Sequence, residues 1–290
     1  MWTTNLLLTT YYLLNTTYYI LITIMNDKEV IIITGASKGI GRETAALFLE
    51  KGYTVYGLSR SGCDVTGVNS VICDITDGKR LKETIDGIFA AEKRIDVLIN
   101  NAGAGISGAV EKTFPADARK LFELNFFALF EAIKYTVPYM RGRKSGKIIN
   151  IGSVAGALQV PFQAFYSASK AAVEALSNCL RGELAPFGIK VSTIMPGDTR
   201  TNFTDAREKN FEKDDPDYGA RIYRSIKLME EDERGGVSPK KVALKIYKAA
   251  RSKNPRPVYV VGFKYYVFVL LGRFFPKRFV QFILNKMYAA

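Results

Sequence analysis

Short apolar runs alternate along this chain with longer amphipathic stretches, and the alternation predicts most of the elements. VIIIT at 30–34, TVYGLSR at 54–60, SVICD at 70–74, DVLIN at 96–100, KIINIG at 147–152, IKVSTIMPG at 189–197 and PVYVVG at 257–262 read as strands. Helical spacing of apolar positions predicts helices over 39–51, 77–94, 115–141, 163–184 and 237–255. Pro115 opens the third of these, and Ser238 followed by Pro239 supplies an N-cap and a first helical position for the last. The link at 61–69 is short and glycine-bearing, so a loop or single turn is expected there. Strands alternating with helices predict a single doubly wound α/β domain with a mainly parallel sheet of about seven strands and helices on both faces.

Three stretches fall outside this pattern. Residues 1–24 are uncharged, with Thr and Asn among the Leu and Ile. They lack the basic start and small-residue cleavage site of a secretory signal and make a weak membrane span. The reading preferred here is an extension without a role, with Met25 as the natural start. Residues 202–238 are charged and weakly periodic. The tail, residues 263–290, mixes aromatic and aliphatic residues with Lys and Arg, and Lys264, Arg273 and Lys277 keep it short of a span of ~20 apolar residues. It suits either a helix lying in a membrane interface or one packed over a cleft or another subunit.

Composition narrows the chemistry. The 290 residues suffice for one large α/β domain with a sizeable core. There is no histidine, which removes His-dependent triads and His-bearing zinc sites and leaves Tyr, Lys, carboxylates or Cys for acid–base work. No metal is called for. Cys63, Cys73 and Cys179 show no paired spacing, so a reduced interior is expected. The net charge of +13 points to an acidic ligand or surface. It does not point to nucleic acid, because no recognition helix, zinc knuckle or aromatic-basic strand motif accompanies it.

The polar residues sit where the strands end. VIIIT runs into T-G-x-x-x-G-x-G, with Gly35, Gly39 and Gly41. Such a turn lets backbone approach a pyrophosphate at a helix N-terminus. TVYGLSR ends in Ser59 and Arg60 where an acidic residue would hold ribose hydroxyls, and Lys38 lies in the glycine turn. Two cations there suit a 2′-phosphate, although each alone could be a solvated charge. Tyr166 and Lys170 lie one helical turn apart on one face, where the ammonium would favour phenolate over phenol and make the tyrosine a proton donor and acceptor. Tyr223 and Lys227 repeat the spacing, so context must choose between them. Ser153 follows KIINIG; its hydroxyl suits either a developing alkoxide or the cap of the next turn.

From about Val30 to Thr201 these ordered motifs resemble the short-chain dehydrogenase/reductase family. The resemblance implies a Rossmann-type domain over 25–262, a substrate lid at about 202–238 and a catalytic set of Asn125, Ser153, Tyr166 and Lys170. Tyr166 would exchange the proton, Ser153 steady the oxygen, Lys170 hold the nicotinamide ribose, and Asn125 kink its helix and hold a water. Cofactor contacts would come from Gly35, Ser37, Lys38, Gly39, Ile40 and Gly41 in the turn, Ser59 and Arg60 at the ribose, and Asp74 and Ile75 beside the adenine. Asn101, Ala102, Gly103, Tyr166, Lys170, Pro196, Gly197, Thr199 and Thr201 complete the set. With Lys38 and Arg60 placed so, the cofactor implied is NADP(H). The substrate implied is a lipophilic alcohol or ketone, of the kind handled by hydroxysteroid and retinol dehydrogenases and acyl-dihydroxyacetone-phosphate reductases. A reductase of small soluble carbonyls and a non-catalytic NADP-binding regulator are the alternatives. A homodimer or homotetramer is expected, in a cytoplasmic location, with the tail as the one means of peripheral contact with a membrane. Phe203, Phe211, Tyr218 and Tyr223 could line the lid or anchor its packing.

Overall fold

The computed structural model describes residues 28–288; the N-terminal extension considered above lies outside them. The chain runs β1 (Val30–Thr34), α1 (Gly39–Glu50), β2 (Thr54–Ser59), β3 (Asn69–Ile72), α2 (Gly78–Glu92), β4 (Val97–Asn100) and β5 (Ile106–Gly108). It continues through α3 (Pro115–Phe122), α4 (Ala128–Gly142), β6 (Gly146–Ile151), α5 (Val154–Ala157), α6 (Ala164–Leu184) and β7 (Ile189–Pro196). The last elements are β8 (Glu208–Asn210), α7 (Gly219–Arg234), α8 (Pro239–Arg251), β9 (Val258–Val261), α9 (Phe263–Phe274) and α10 (Lys277–Tyr288).

Seven strands form one parallel sheet in the order β3-β2-β1-β4-β6-β7-β9. The order reverses between β1 and β4, and a crevice opens there beyond the carboxyl ends of the strands. Runs of Ile and Val make this sheet because both faces are covered. Ile32, Leu98 and Ile148 pack with Leu81, Ile85, Leu129, Ile133 and Val173 of α2, α4 and α6. Ile31, Ile33, Ile99 and Ile149 pack with Ala45, Phe48, Val242 and Ile246 of α1 and α8. Each such side chain fully buried contributes about 1.5–3 kcal/mol, which outweighs weak local propensity.

At the opposite edge of the strands Asp96 ties three segments. Its carboxylate accepts from the Val30 N–H at 2.8 Å, from Arg94 at 2.7 and 3.0 Å, and from Arg143 at 3.0 Å. Burial works against its charge, but these donors hold its carboxyl below the usual carboxylate range.

Three departures from the expected elements have local causes. The helix over 115–141 is interrupted by a π-turn at Glu123–Phe127, with Asn125 at its centre. Ser238 stands at the N-cap of α8 but its side chain makes no capping bond; Pro239 occupies the first turn. The tail is two helices rather than one, because Pro276 cannot continue the first. Strand β8 and helix α7 arise in the stretch of weak periodicity, and β8 pairs with β5, which no apolar run announced.

Candidate active site

The glycine turn is shaped by what surrounds it. Gly35 has φ +68°, and a Cβ there would lie 2.8 Å from the Ala102 Cα. A Cβ at Gly41 would overlap the Gly35 carbonyl oxygen, so α1 packs closer to β1 than any side chain permits. Asn101 closes the arrangement: its Nδ2 donates to the carbonyls of Thr34 at 2.9 Å and Gly35 at 3.0 Å. Thr34 returns the bond, its hydroxyl accepting from the Asn101 and Ala102 N–H groups at 3.0 and 3.1 Å. The start of α1 is left as an open floor of backbone N–H groups.

Helix α6 packs along β7, reaches β6 through side-chain hydrogen bonds, and carries Tyr166 and Lys170. It can lie close because its inner face is Ser167, Ser169, Val173 and Ser177. Asn150 donates to the Ser177 hydroxyl at 2.8 Å and accepts from Asn100 at 2.9 Å, a polar ladder between neighbouring strands and the helix. Lys170 is 5% exposed, and its Nζ donates to the Ile151 carbonyl at 2.9 Å. That Nζ lies 5.9 Å from the centroid of the Tyr166 ring. Burial pushes the Lys170 ammonium down to about 8. Ser153 caps α5, accepting from the Ala155 N–H at 3.1 Å, and its hydroxyl also acts on that of Tyr166.

The expected lowering of the Tyr166 pKa does not occur in the protein alone. One side of the ring is open to the cleft, yet protein surrounds the hydroxyl, and desolvation pushes it up to about 12. The Ser153 hydrogen bond and Arg207 pull the other way; Glu233 and Asp198 add to the rise. Lys170 is itself short of solvation and does not reverse the balance. The second Tyr–Lys pair is the solvated one: Tyr223 is 44% exposed, and Lys227 is 4.0 Å from Glu231 on the helix surface.

Asn125 is buried behind this group. Its Oδ1 accepts from the Ala104 N–H at 2.9 Å, and its Nδ2 donates to the Ala104 carbonyl at 3.0 Å and the Ser169 hydroxyl at 3.1 Å. The π-turn supplies the register that aims it there. A Cβ at Gly103 would lie 3.2 Å from Asn125 Oδ1 and 3.4 Å from Lys170 Nζ, so this glycine keeps a gap between the two polar groups.

One cleft of about 980 Å³ gathers nearly every residue singled out from sequence. Ser37, Lys38, Gly39, Ile40, Ser59, Arg60, Asp74, Ile75, Asn101, Ala102, Gly103, Ser153, Tyr166, Lys170, Pro196, Gly197, Thr199 and Thr201 line it, with Gly35. Gly41 and Asn125 stand behind its wall. The glycine floor, the helix N-terminus and the long groove along the strand ends fit a dinucleotide. Where β2 ends, the Ser59 hydroxyl donates to the Gly62 carbonyl at 2.9 Å, while Lys38 and Arg60 are exposed. Asp74, whose carboxylate accepts from the Thr76 N–H and hydroxyl, also feels Arg60.

The opposite wall comes from residues beyond 197. Phe203 packs against Tyr166 with ring centroids 5.6 Å apart, and a Cβ at Gly105 would meet its ring. Phe211 and Tyr218 pack instead beneath α7, with Ile222, Ile226 and Met229. From the tail, Phe268, Leu271, Phe275, Phe279, Ile283 and Met287 close the cleft with an apolar surface.

A carboxylate cluster that no motif signalled sits at this wall. Asp198 accepts from the Tyr265 hydroxyl, and Asp232 from the Tyr288 hydroxyl at 3.2 Å. Glu233 pairs with Arg207 and accepts from the Thr204 hydroxyl at 2.7 Å. Burial, then Asp232 and Glu233, hold the Asp198 carboxyl up to about 7, against the partial relief of Lys264 and Arg207. The parallel bridge between Thr199 and Val237 brings the two acidic segments together, a pairing no local pattern could reveal.

Comparison with known proteins agrees with this architecture. The sequence model of the family described as short chain dehydrogenase matches residues 29–212. A 3-ketodihydrosphingosine reductase of Bacteroides thetaiotaomicron is 39% identical over 264 residues, covering 90% of this chain and 98% of its own. An NADPH-dependent 3-dehydrocapnine reductase of Ornithobacterium rhinotracheale is 31% identical over 270 residues, covering 88% and 95%. Among solved structures, a short-chain dehydrogenase from Streptomyces avermitilis superposes with a TM-score of 0.75 at 32% identity, over 84% of this chain and 92% of that one. ElxO with NADP bound superposes at 0.68 with 26% identity, over 83% and 99%. With 39% identity across nine-tenths of its length and the family model spanning the glycine turn through residue 212, this chain belongs to the short-chain dehydrogenase family, whose oxidoreductases interconvert alcohols and carbonyls with a nicotinamide dinucleotide.

Proposed function

We propose that this protein is an NADP(H)-dependent oxidoreductase that interconverts an alcohol and its carbonyl on a lipophilic substrate. The observation that carries the reading is the convergence of Ser153, Tyr166 and Lys170 at one end of a cleft whose far wall is the apolar tail. Tyr166 exchanges the proton with the substrate oxygen, and Ser153 donates to that oxygen as charge develops on it. Lys170, held by the Ile151 carbonyl, orients the nicotinamide ribose. Asn125 keeps the Ala104 segment in place and, across the gap at Gly103, supports a water that relays protons. When bound, the nicotinamide supplies or accepts the hydride, and in its oxidised form its positive charge favours the Tyr166 phenolate.

Lys38 and Arg60 at the adenosine end, with no carboxylate at the tip of β2, support NADP(H). The NADPH dependence printed for the O. rhinotracheale relative and the NADP-bound ElxO structure lean the same way. The tail residues facing the cleft, and relatives whose names are a sphingosine and a capnine reductase, support a long-chain ketone as substrate. Phe127, just before α4, and Phe130, in its first turn, are exposed and offer an apolar surface for a second subunit.

The test is nicotinamide absorbance at fixed NADPH over a panel of long-chain and small soluble ketones, with Tyr166→Phe beside the wild type. The wild type should turn over the long-chain ketones preferentially. The variant should lose turnover by ~10²–10⁴-fold while still quenching NADPH fluorescence as the wild type does. Retained turnover in the variant would overturn the role of Tyr166, and preference for the small ketones would overturn the substrate class.

A further inference from the structure

The tail helices have two faces, and only one is accounted for. Phe268, Leu271, Phe275, Phe279, Ile283 and Met287 turn inward to the cleft. Phe263, Tyr266, Leu270, Phe274 and Phe282 take no part in its lining and are exposed, Phe263 to 83%, Phe274 to 79% and Phe282 to 64%. Across the two helices Val269 is the one buried residue among those described. Apolar side chains left outside in such number, on adjoining helices, mark a surface that something covers.

The charges around this face say what. Residues 263–288 contain Lys264, Arg273, Lys277, Arg278 and Lys286, and no Asp or Glu. Lys264 faces Asp232 at 3.8 Å, and Arg273 acts on Glu174 of α6. Lys277 and Arg278 start α10 and Lys286 lies near its end, all exposed. Aromatic rings with lysine and arginine interleaved suit the boundary between lipid headgroups and acyl chains, where rings are half immersed and long cationic side chains reach the phosphates. A partner subunit meeting this surface across a two-fold axis would set the same cations against each other. No helix among the described residues is long and apolar enough to cross a bilayer, so the geometry is that of a surface contact.

We propose that the outer face of α9 and α10 docks on an anionic lipid bilayer. The same helices then wall the cleft on one side and rest on lipid with the other, so the cleft mouth stands at the bilayer surface. The docking goes beyond the reaction assigned above; that a long-chain substrate passes from bilayer to cleft rests on it. On this proposal the membrane-interface and cleft-covering readings of the tail are two faces of one pair of helices.

The experiment is co-sedimentation of the full chain with sucrose-loaded vesicles of phosphatidylcholine alone, or mixed with phosphatidylglycerol, at low and high salt. The mixed vesicles should retain the protein at least about tenfold better than the neutral ones, and high salt should release it. Phe263→Ser with Phe274→Ser, and separately Lys277→Glu with Arg278→Glu, should each lower retention about tenfold or more. Both should leave turnover of a soluble ketone unchanged, which also reports that the variants fold. Failure of the wild type to pellet with anionic vesicles would overturn the proposal. So would self-association that the serine variant abolishes with no vesicle binding, which would make the occupant a second copy. A wild type that binds vesicles but reduces no ketone would defeat the reaction assigned above and leave the docking standing.

Discussion

The hydroxyl of Tyr265 donates to the carboxylate of Asp198, and its ring fills the space above Gly197, the residue expected beside the nicotinamide. One tail side chain therefore touches both the segment over the cofactor end of the cleft and the carboxylate cluster behind it. Tail position and cleft geometry are mechanically linked.

Gly197→Ala should dislodge the tail. A Cβ at this position would overlap the Tyr265 ring, and overpacking of this kind costs about 1–3 kcal/mol unless the neighbour moves. The tail is the neighbour free to move. Limited trypsin digestion should cut at Arg273, Lys277 or Arg278 several-fold faster than in the wild type. Unchanged cutting, with an unchanged KM for a long-chain ketone, would show that Tyr265 does not hold the tail.

Asp198 should make the protein less stable as pH rises. Its carboxyl is held up to about 7 in the fold against an ordinary 3.8, so between roughly pH 4 and 7 the folded state binds the proton that the unfolded chain has released. Stability is greatest below this window and falls through it as the buried carboxylate is forced to ionise. Asp198→Asn keeps an acceptor for Tyr265 and removes the titration. Thermal unfolding of the variant should therefore lose less Tm than the wild type between pH 5 and pH 8. Parallel curves for the two proteins would refute the assignment.

Arg60→Asp should move cofactor preference toward NADH. Loss of a charge-assisted bond to a phosphate, with a carboxylate put in its place, should raise KM for NADPH by about tenfold or more and leave KM for NADH lower or unchanged. Arg60 already has Asp74 nearby, so the measurement also decides whether that carboxylate is its only partner. An unaltered ratio of kcat/KM for the two cofactors would count against a 2′-phosphate site.

Asp96→Ala should be among the most damaging changes outside the cleft. It leaves the Val30 N–H without its acceptor and the guanidinium of Arg143 without this carboxylate. For the buried Val30 N–H that loss costs about 1–3 kcal/mol, while the solvent-exposed Arg143 adds less. Urea unfolding should show a lower midpoint with the same slope. A change under ~0.5 kcal/mol would mean that water replaces the carboxylate.

Much of the sheet and of the site was legible because its rules are local. Ile31–Ile33, Leu98 and Ile148 declare strands through apolar runs; Gly35 and Gly41 declare a close backbone turn; Tyr166 and Lys170 declare one helix face through their spacing. Each of these depends on neighbours a few residues away, and the parallel sheet follows once strands and helices alternate. The tertiary structure alone decided the rest. Asp198 meets Asp232 and Glu233 because of a bridge between residues 38 positions apart, and β5 pairs with β8 across about a hundred residues. That the tail lines the cleft, as two helices parted at Pro276, was decided by packing against residues far away in the chain. The Tyr166 pKa likewise followed from its surroundings. Desolvation by the whole enclosing wall outweighs a lysine one turn away, and a sum over distant surfaces is written nowhere in the local order of residues.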